Sequence, residues 1–250
     1  MKYSAVSAFV LIVLAAGASA QSTDARARLD EVQRLSSQRN YAAAIAAFEA
    51  IHAQQPEAIA SLDGLKMVTV YAEAGDMPKF ESLTRWLVQR YREPKTSTDA
   101  ERSVKGYIVH RSAKDPQLLA HAVDMTRFAS EQAAAHGEGE YQGFFDTSRG
   151  IALYRVGRFA EAAEWLPKGL DHESLYVRSL ALPFYAMTEL ARGNRTQADA
   201  LMARARAEAA RLPAPGTEEY GVEWTDILIT KMVVQEAEDA LQSRPMSAGG

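Results

Sequence analysis

The chain has 250 residues, 47% hydrophobic and 24% charged, a net charge of −4 and no cysteine. That balance excludes an intrinsically disordered chain, and the weakly acidic charge gives no general attraction for nucleic acid or an anionic membrane. Without cysteine there is no disulfide, no thiol nucleophile and no Cys-based metal site.

The first twenty residues stand apart. Lys2 precedes an apolar run from Ala5 to Ala16, and Ala18-Ser19-Ala20 follows. A positive start, a short apolar stretch and an Ala-x-Ala site predict a secretory signal peptide over 1–20, cleaved after Ala20. The run is shorter than the ~20 apolar residues of a membrane span, so no stable membrane insertion is expected after cleavage. An uncleaved anchor or a hydrophobic first helix are the competing readings. Export to an oxidising compartment without cysteines suits a bacterial periplasm.

From Gln21 onward the chain reads as helical nearly throughout. Tyr41, Ala44, Ile45, Phe48 and Ile51 fall on one helical face, as do Phe159, Ala162, Ala163, Leu166 and Leu170, and again Ala198, Leu201, Met202, Ala205 and Ala209. Long β-branched alternations, the mark of strands, are absent. Asp115-Pro116 places a capping carboxylate before a proline suited to a first helical turn. Thr98-x-x-Glu101 reads as a capping box. Gly75, Gly157 and Gly193 sit where one helix should end and the next begin. The spacing predicts helix pairs over 23–38 with 41–54, 58–74 with 77–92, 99–113 with 116–135, 140–156 with 159–170 and 174–192 with 196–211. A last helix is expected over 219–242. The organisation is thus a signal segment 1–20, a helical array 21–212, a terminal helix within 213–242 and a disordered tail 243–250.

Within these pairs one pattern returns. It is clearest in Gly157-Arg-Phe159-Ala-Glu-Ala162-Ala163-Glu-Trp165-Leu166 and in Gly193-Asn-Arg195-Thr-Gln-Ala198-Asp-Ala200-Leu201-Met202. In the first unit Tyr41, Ala44, Phe48 and Pro56 match, with Arg39 in place of the glycine. In the second, Tyr71, Gly75 and Leu87 match, with Phe80 where alanine is expected. At these residues the chain resembles the tetratricopeptide repeat (TPR) family. The resemblance implies an all-α fold: an α-solenoid of about five TPR-like antiparallel helix pairs plus a C-terminal capping helix that covers the last pair. Small residues such as Ala44, Ala162 and Ala198 would let paired helices approach, while Phe48, Leu166 and Met202 fill the space between units. Pro167 and Pro183 depart from the pattern and should kink or shorten their helices.

Little in the sequence points to catalysis. His52, His110, His121, His136 and His172 are scattered and form no H-E-x-x-H pair. No phosphate-binding glycine loop and no G-x-S-x-G elbow occurs. Catalytic residues, metal ligands and cofactors are therefore not expected. In the resembling family the first helix of each unit lines a concave groove that holds extended peptides. Carried over residue by residue, this implies a protein or peptide partner held by Lys66 and Thr69 in the second unit and by Thr147, Ile151, Tyr154 and Arg155 in the fourth. Phe184 and Met187 would contribute from the fifth, and Lys105 and Arg111 from the third. The competing reading makes Ile151, Phe184 and Met187 inter-repeat core and the basic residues solvated. The expected function is a non-enzymatic scaffold of the cell envelope. The alternatives are an envelope enzyme or enzyme accessory supported by the helical stack, with a histidine and an acid converging in a cleft, and a self-associating structural module.

Overall fold

The apolar stripes fold as helices, one after another. The computed structural model describes residues 24–243; the predicted signal peptide over 1–20 and nearly all of the predicted disordered tail over 243–250 lie outside the described residues. Helix α1 covers 24–37. It is followed by α2 (Tyr41–Gln54), α3 (Ser61–Ala74), α4 (Met77–Arg90), α5 (Ser97–Ile108) and α6 (Pro116–His136). Then come α7 (Gly139–Arg155), α8 (Phe159–Trp165), α9 (Leu175–Ala191), α10 (Arg195–Ala209) and α11 (Glu218–Ser243). Two 3-10 turns complete the described residues, among which there is no strand. Every predicted helix is present, with ends within a few residues of expectation except where noted below and at α5, which ends at Ile108 where 113 was expected.

Five of the connections share one device. At Gly75, Gly137, Gly157 and Gly193 the backbone turns left-handed, with φ of 74°, 71°, 79° and 87°. The amide after each glycine donates to a carbonyl five residues back: Asp76 to Tyr71 at 2.9 Å, Glu138 to Ala133 at 3.0 Å, Arg158 to Leu153 at 2.9 Å and Asn194 to Glu189 at 2.8 Å. Asn40 does the same to Leu35 at 2.9 Å, yet the residue between is Arg39 at φ 61°. This closing bond satisfies a helix-end carbonyl that would otherwise lack a donor. A side chain in this conformation costs on the order of 1 kcal/mol. Arg39→Gly is therefore expected to raise the thermal midpoint by a few degrees, and Gly75→Ala, where a new Cβ would meet no neighbour within 4 Å, to lower it by a similar amount. Calorimetry of the two variants checks this; equal midpoints would show that the turn carries no strain.

Asp115 caps α6 as expected, accepting from the amides of Gln117 and Leu118 at 2.9 and 3.1 Å. The cap of α5 is not Thr98 with Glu101. Thr96 holds that place and accepts from the Asp99 amide at 3.0 Å, so α5 starts earlier and Glu101 faces inward. Pro167 ends α8 early, and the chain continues as a 3-10 turn over Leu166–Gly169. Pro183 does not shorten its helix: α9 runs unbroken across it. Pro183 is buried and the helix is held by packing on both sides, which offsets the one backbone bond the ring removes.

Ala44, Ala162 and Ala198, with Phe48, Leu166 and Met202, are fully enclosed. One continuous core runs from Leu29 and Val32 on α1 to Leu241 on α11. Neighbouring helices pack in sequence, α3 on α4 and α5, α5 on α6, α7 on α8 and α9, and α9 on α10. Helix α11 does more than cover the last pair, since it also packs against α3. Asp226 approaches Lys105 at 3.7 Å, Glu236 meets Arg155, and Asp239 meets Arg111 at 2.9 Å. Early α11 residues thus meet the middle of α5 and later ones the segment past its end, so α11 runs in the same sense as α5, alongside α3, α5 and the end of α7.

Candidate binding cavity beside the terminal helix

A cavity of about 390 Å³ lies where α3, α5 and α7 meet the first turns of α11. Its position follows from α5, which is buried along nearly its whole length, charged residues included. Glu101 and Lys105 lie four apart on that helix and so share a face. The Lys105 ammonium sits 3.3 Å from Glu101 and 3.7 Å from Asp226, and 5.4 Å from the centre of the Phe144 ring. Glu101 also accepts from the Ser148 hydroxyl at 2.7 Å. Lys105 is only 5% exposed. Burial alone would pull its ammonium down, but Glu101 and Asp226 outweigh it and hold the pKa above the ordinary lysine value.

The rest of the wall is mixed. Leu62, Leu65, Phe144 and Phe145 supply apolar surface, and Lys66, Arg102 and Glu223 supply charge. Tyr141 and Val222, also on the wall, are 49% and 66% exposed and are the large hydrophobic side chains most open to solvent among the described residues. A shallower depression beside the mouth, lined by Tyr176, Glu218 and Glu219, shares Val222 and Glu223 with the cavity. Burial lowers the Lys66 pKa, with Asp63 opposing. Burial, joined by Asp226, raises that of Glu223, with Lys66 opposing.

Of the residues that the repeat resemblance implies, Lys66 and Lys105 are brought together on this wall. The others are placed elsewhere. Thr69 is buried and donates to the Leu65 carbonyl of its own helix at 3.1 Å. Thr147 is buried against Gly169. Ile151, Phe184 and Met187 are core, as in the competing reading. Tyr154 packs on Phe159 and Phe184, with ring centres 5.7 and 5.6 Å away. Arg111 forms its exposed pair with Asp239. Arg155 is enclosed: it donates to the carbonyls of Ile108 at 2.7 Å and Val109 at 3.2 Å and grips Glu236 with both terminal nitrogens. Arg155 therefore fastens α11 to the end of α5.

The sequence reading passes over Arg102, Phe144, Val222, Glu223 and Asp226, and assigns Glu101 to a cap. The sequence carried no signal for Glu101 and Lys105 as a buried pair: Glu-x-x-x-Lys in the largely polar segment Ser97–Ile108 reads as a solvated helix face.

No histidine lines this cavity; His110 shares a second, smaller depression with Glu73, Arg111 and Gln235. His110 packs on Phe80, ring centres 5.0 Å apart, and bonds Ser112 at 2.7 Å. His52 stacks on Phe48 and meets Trp86 edge-on. Among the described residues, no group of three His, Cys, Asp or Glu could hold a metal, and no helix is long and apolar enough to cross a membrane. Burial lowers the pKa of His52, His110 and His121, against opposing pulls from Glu49, Glu236 and Asp124 respectively. In the unfolded chain each titrates near 6.5. Between the two values the unfolded chain binds more protons, so this part of the stability is present above about pH 6.5 and lost as pH falls through and below it. The urea midpoint is expected to be lower at pH 5.5 than at pH 7.5; equal midpoints would contradict the burial of these rings.

Compared with family models, curated proteins and solved structures, the chain matches none of them.

Proposed function

We propose that the protein is a non-enzymatic binding protein of the cell envelope, exported by the segment before Gln21, in which a TPR-like α-solenoid presents a site for a protein or peptide. The equivalent turns within four of the five predicted pairs, at residues 39, 75, 157 and 193, and the sequential packing of neighbouring helices support the repeat reading. Because α11 packs alongside α3, α5 and the end of α7, this reading gives the binding role to the open cavity at the start of α11 and not to a long groove. The observation that carries this reading is the cavity itself, an apolar recess with internal charge whose wall reaches solvent at Tyr141 and Val222. Apolar anchors set in a recess with a polar surround are where binding energy concentrates.

The test places a photo-crosslinking amino acid at Tyr141 and, as a control, at the exposed Arg204 on α10. In the native cell, a discrete polypeptide adduct is expected from position 141 and not from 204. Adducts from neither position, or equally from both, would remove the cavity as the docking site. The N-terminal sequence of the recovered protein is expected to begin at Gln21; an intact Met1 would overturn export by cleavage.

A further inference from the structure

Lys105, Glu101 and Asp226 satisfy one another. Three other charged side chains on the cavity wall do not share in that network. Lys66 on α3, Arg102 on α5 and Glu223 on α11 make no ion pair or side-chain hydrogen bond with another described residue. Two cations, from α3 and α5, and a carboxylate from α11 thus line one cavity without an ion pair among them. The Thr225 hydroxyl adds an unmet polar group. The residue is 5% exposed, lines the cavity, and its oxygen is buried without a hydrogen-bond partner. Thr69, Thr84, Thr126 and Thr188, also buried in helices, each donate to the carbonyl four residues back, while Thr147, away from the cavity, shares the lack of a partner. A buried polar group without a partner is costly, and Thr225 is the one of these residues that belongs to the cavity wall.

The signs decide the ligand class. A simple anion would meet Lys66 and Arg102 but also Glu223, with Glu218 and Glu219 beside the mouth. A simple cation would leave Lys66 and Arg102 unmet. A molecule with both charges and an apolar body satisfies all three groups and the phenylalanine wall. The volume suits a ligand of amino-acid to dipeptide size. We propose that the cavity binds an apolar α-amino acid zwitterion, free or as a short peptide, with its carboxylate toward Lys66 and Arg102, its amine toward Glu223 and its side chain against Phe144 and Phe145. The inference rests on the cavity being the binding site, as argued above, and narrows what enters it.

Titration calorimetry of the full chain with four probes tests it: L-phenylalanine, the Phe-Phe dipeptide, 3-phenylpropionate and phenethylamine. Saturable one-to-one binding is expected for at least one zwitterion, and which one binds identifies the source as free amino acid or peptide. The two single-charge analogues are expected to bind at least about tenfold more weakly, since each lacks one charge-assisted hydrogen bond. Glu223→Gln should weaken the zwitterion about tenfold and leave 3-phenylpropionate no weaker, since a like charge is removed from its path. Lys66→Gln with Arg102→Gln should weaken both and leave phenethylamine no weaker, for the same reason. Thermal midpoints of the unliganded variants establish that they fold; if the double variant does not, Glu223→Gln decides. Absence of heat from both zwitterions at millimolar concentration, or equal affinity for the single-charge probes, overturns the proposal. A polypeptide crosslinked at position 141 with no heat from any probe would remove the zwitterion and keep the partner-binding role. Saturable Phe-Phe binding without a crosslink would do the reverse.

Discussion

Glu236→Ala is expected to lower the unfolding free energy by about 3–5 kcal/mol, a large share of the stability of an ordinary domain. The reason lies in what it abandons. The Arg155 side chain is 7% exposed and that of Glu236 15%. Arg155 reaches Glu236 at 2.8 Å through one nitrogen and closes a second bond through another, while also donating to Ile108 and Val109. Its guanidinium lies 5.0 Å from the centre of the Phe184 ring. Without the carboxylate, a fixed positive charge stays among neutral carbonyls and rings, and arginine cannot shed its proton to escape. Arg155→Met combined with Glu236→Met removes both charges and keeps the volume, and should recover most of the loss. Urea unfolding of the two single variants and the double variant measures the coupling. A loss below about 1 kcal/mol for Glu236→Ala would mean that α11 is held by its apolar face alone.

The helices were legible because each carries its own local rule. The stripe at Phe159, Ala162 and Leu166 places a helix whatever surrounds it, and Asp115-Pro116 caps one through its own geometry. Arg39 is instructive: the repeat pattern asks for glycine there, and the backbone turns left-handed all the same. What the pattern could not give is any feature set by contact between distant segments. Gly64 and Gly106 have no local role; they are small because Leu87 and Val68 press on them, with a Cβ falling 2.3 and 2.8 Å from the nearest side-chain atoms. Pro183 reads as a break locally but is overridden by the packing around α9.

The same division explains the cavity. Lys66 and Lys105 were found because they sit on first helices, where the repeat resemblance directs attention. Glu223 and Asp226 were missed because the α3 and α5 residues with which they share the cavity lie more than a hundred residues earlier, and only the return of α11 along those helices brings them together. Arg155 was found for the wrong reason. It does face inward from α7, as the resemblance implies, but what it holds is the protein's own terminal helix.

Glu101→Gln is expected to cost about 3 kcal/mol, the low end for breaking a buried pair because Asp226 remains near Lys105. Glutamine can still accept from the Ser148 hydroxyl, so the change isolates the charge. Its pH dependence is the sharper signature. In the native protein the Lys105 pKa is raised, so its contribution to stability is present below the unfolded lysine value and lost only as pH rises through the folded one. Once Glu101 is neutral, burial has the larger say and the folded pKa falls below the unfolded value. The unfolded chain then binds more protons than the folded one in the interval between them, and stability rises as pH is raised through it. Urea midpoints between pH 7 and pH 10 should therefore climb for Glu101→Gln relative to the native protein. Adding Lys105→Met should abolish the climb and restore most of the stability at pH 7, since no buried charge is left on α5. A variant that matches the native midpoint across that range would show that Lys105 draws its support from Asp226 and solvent, and that the inner face of α5 is wetter than its burial implies.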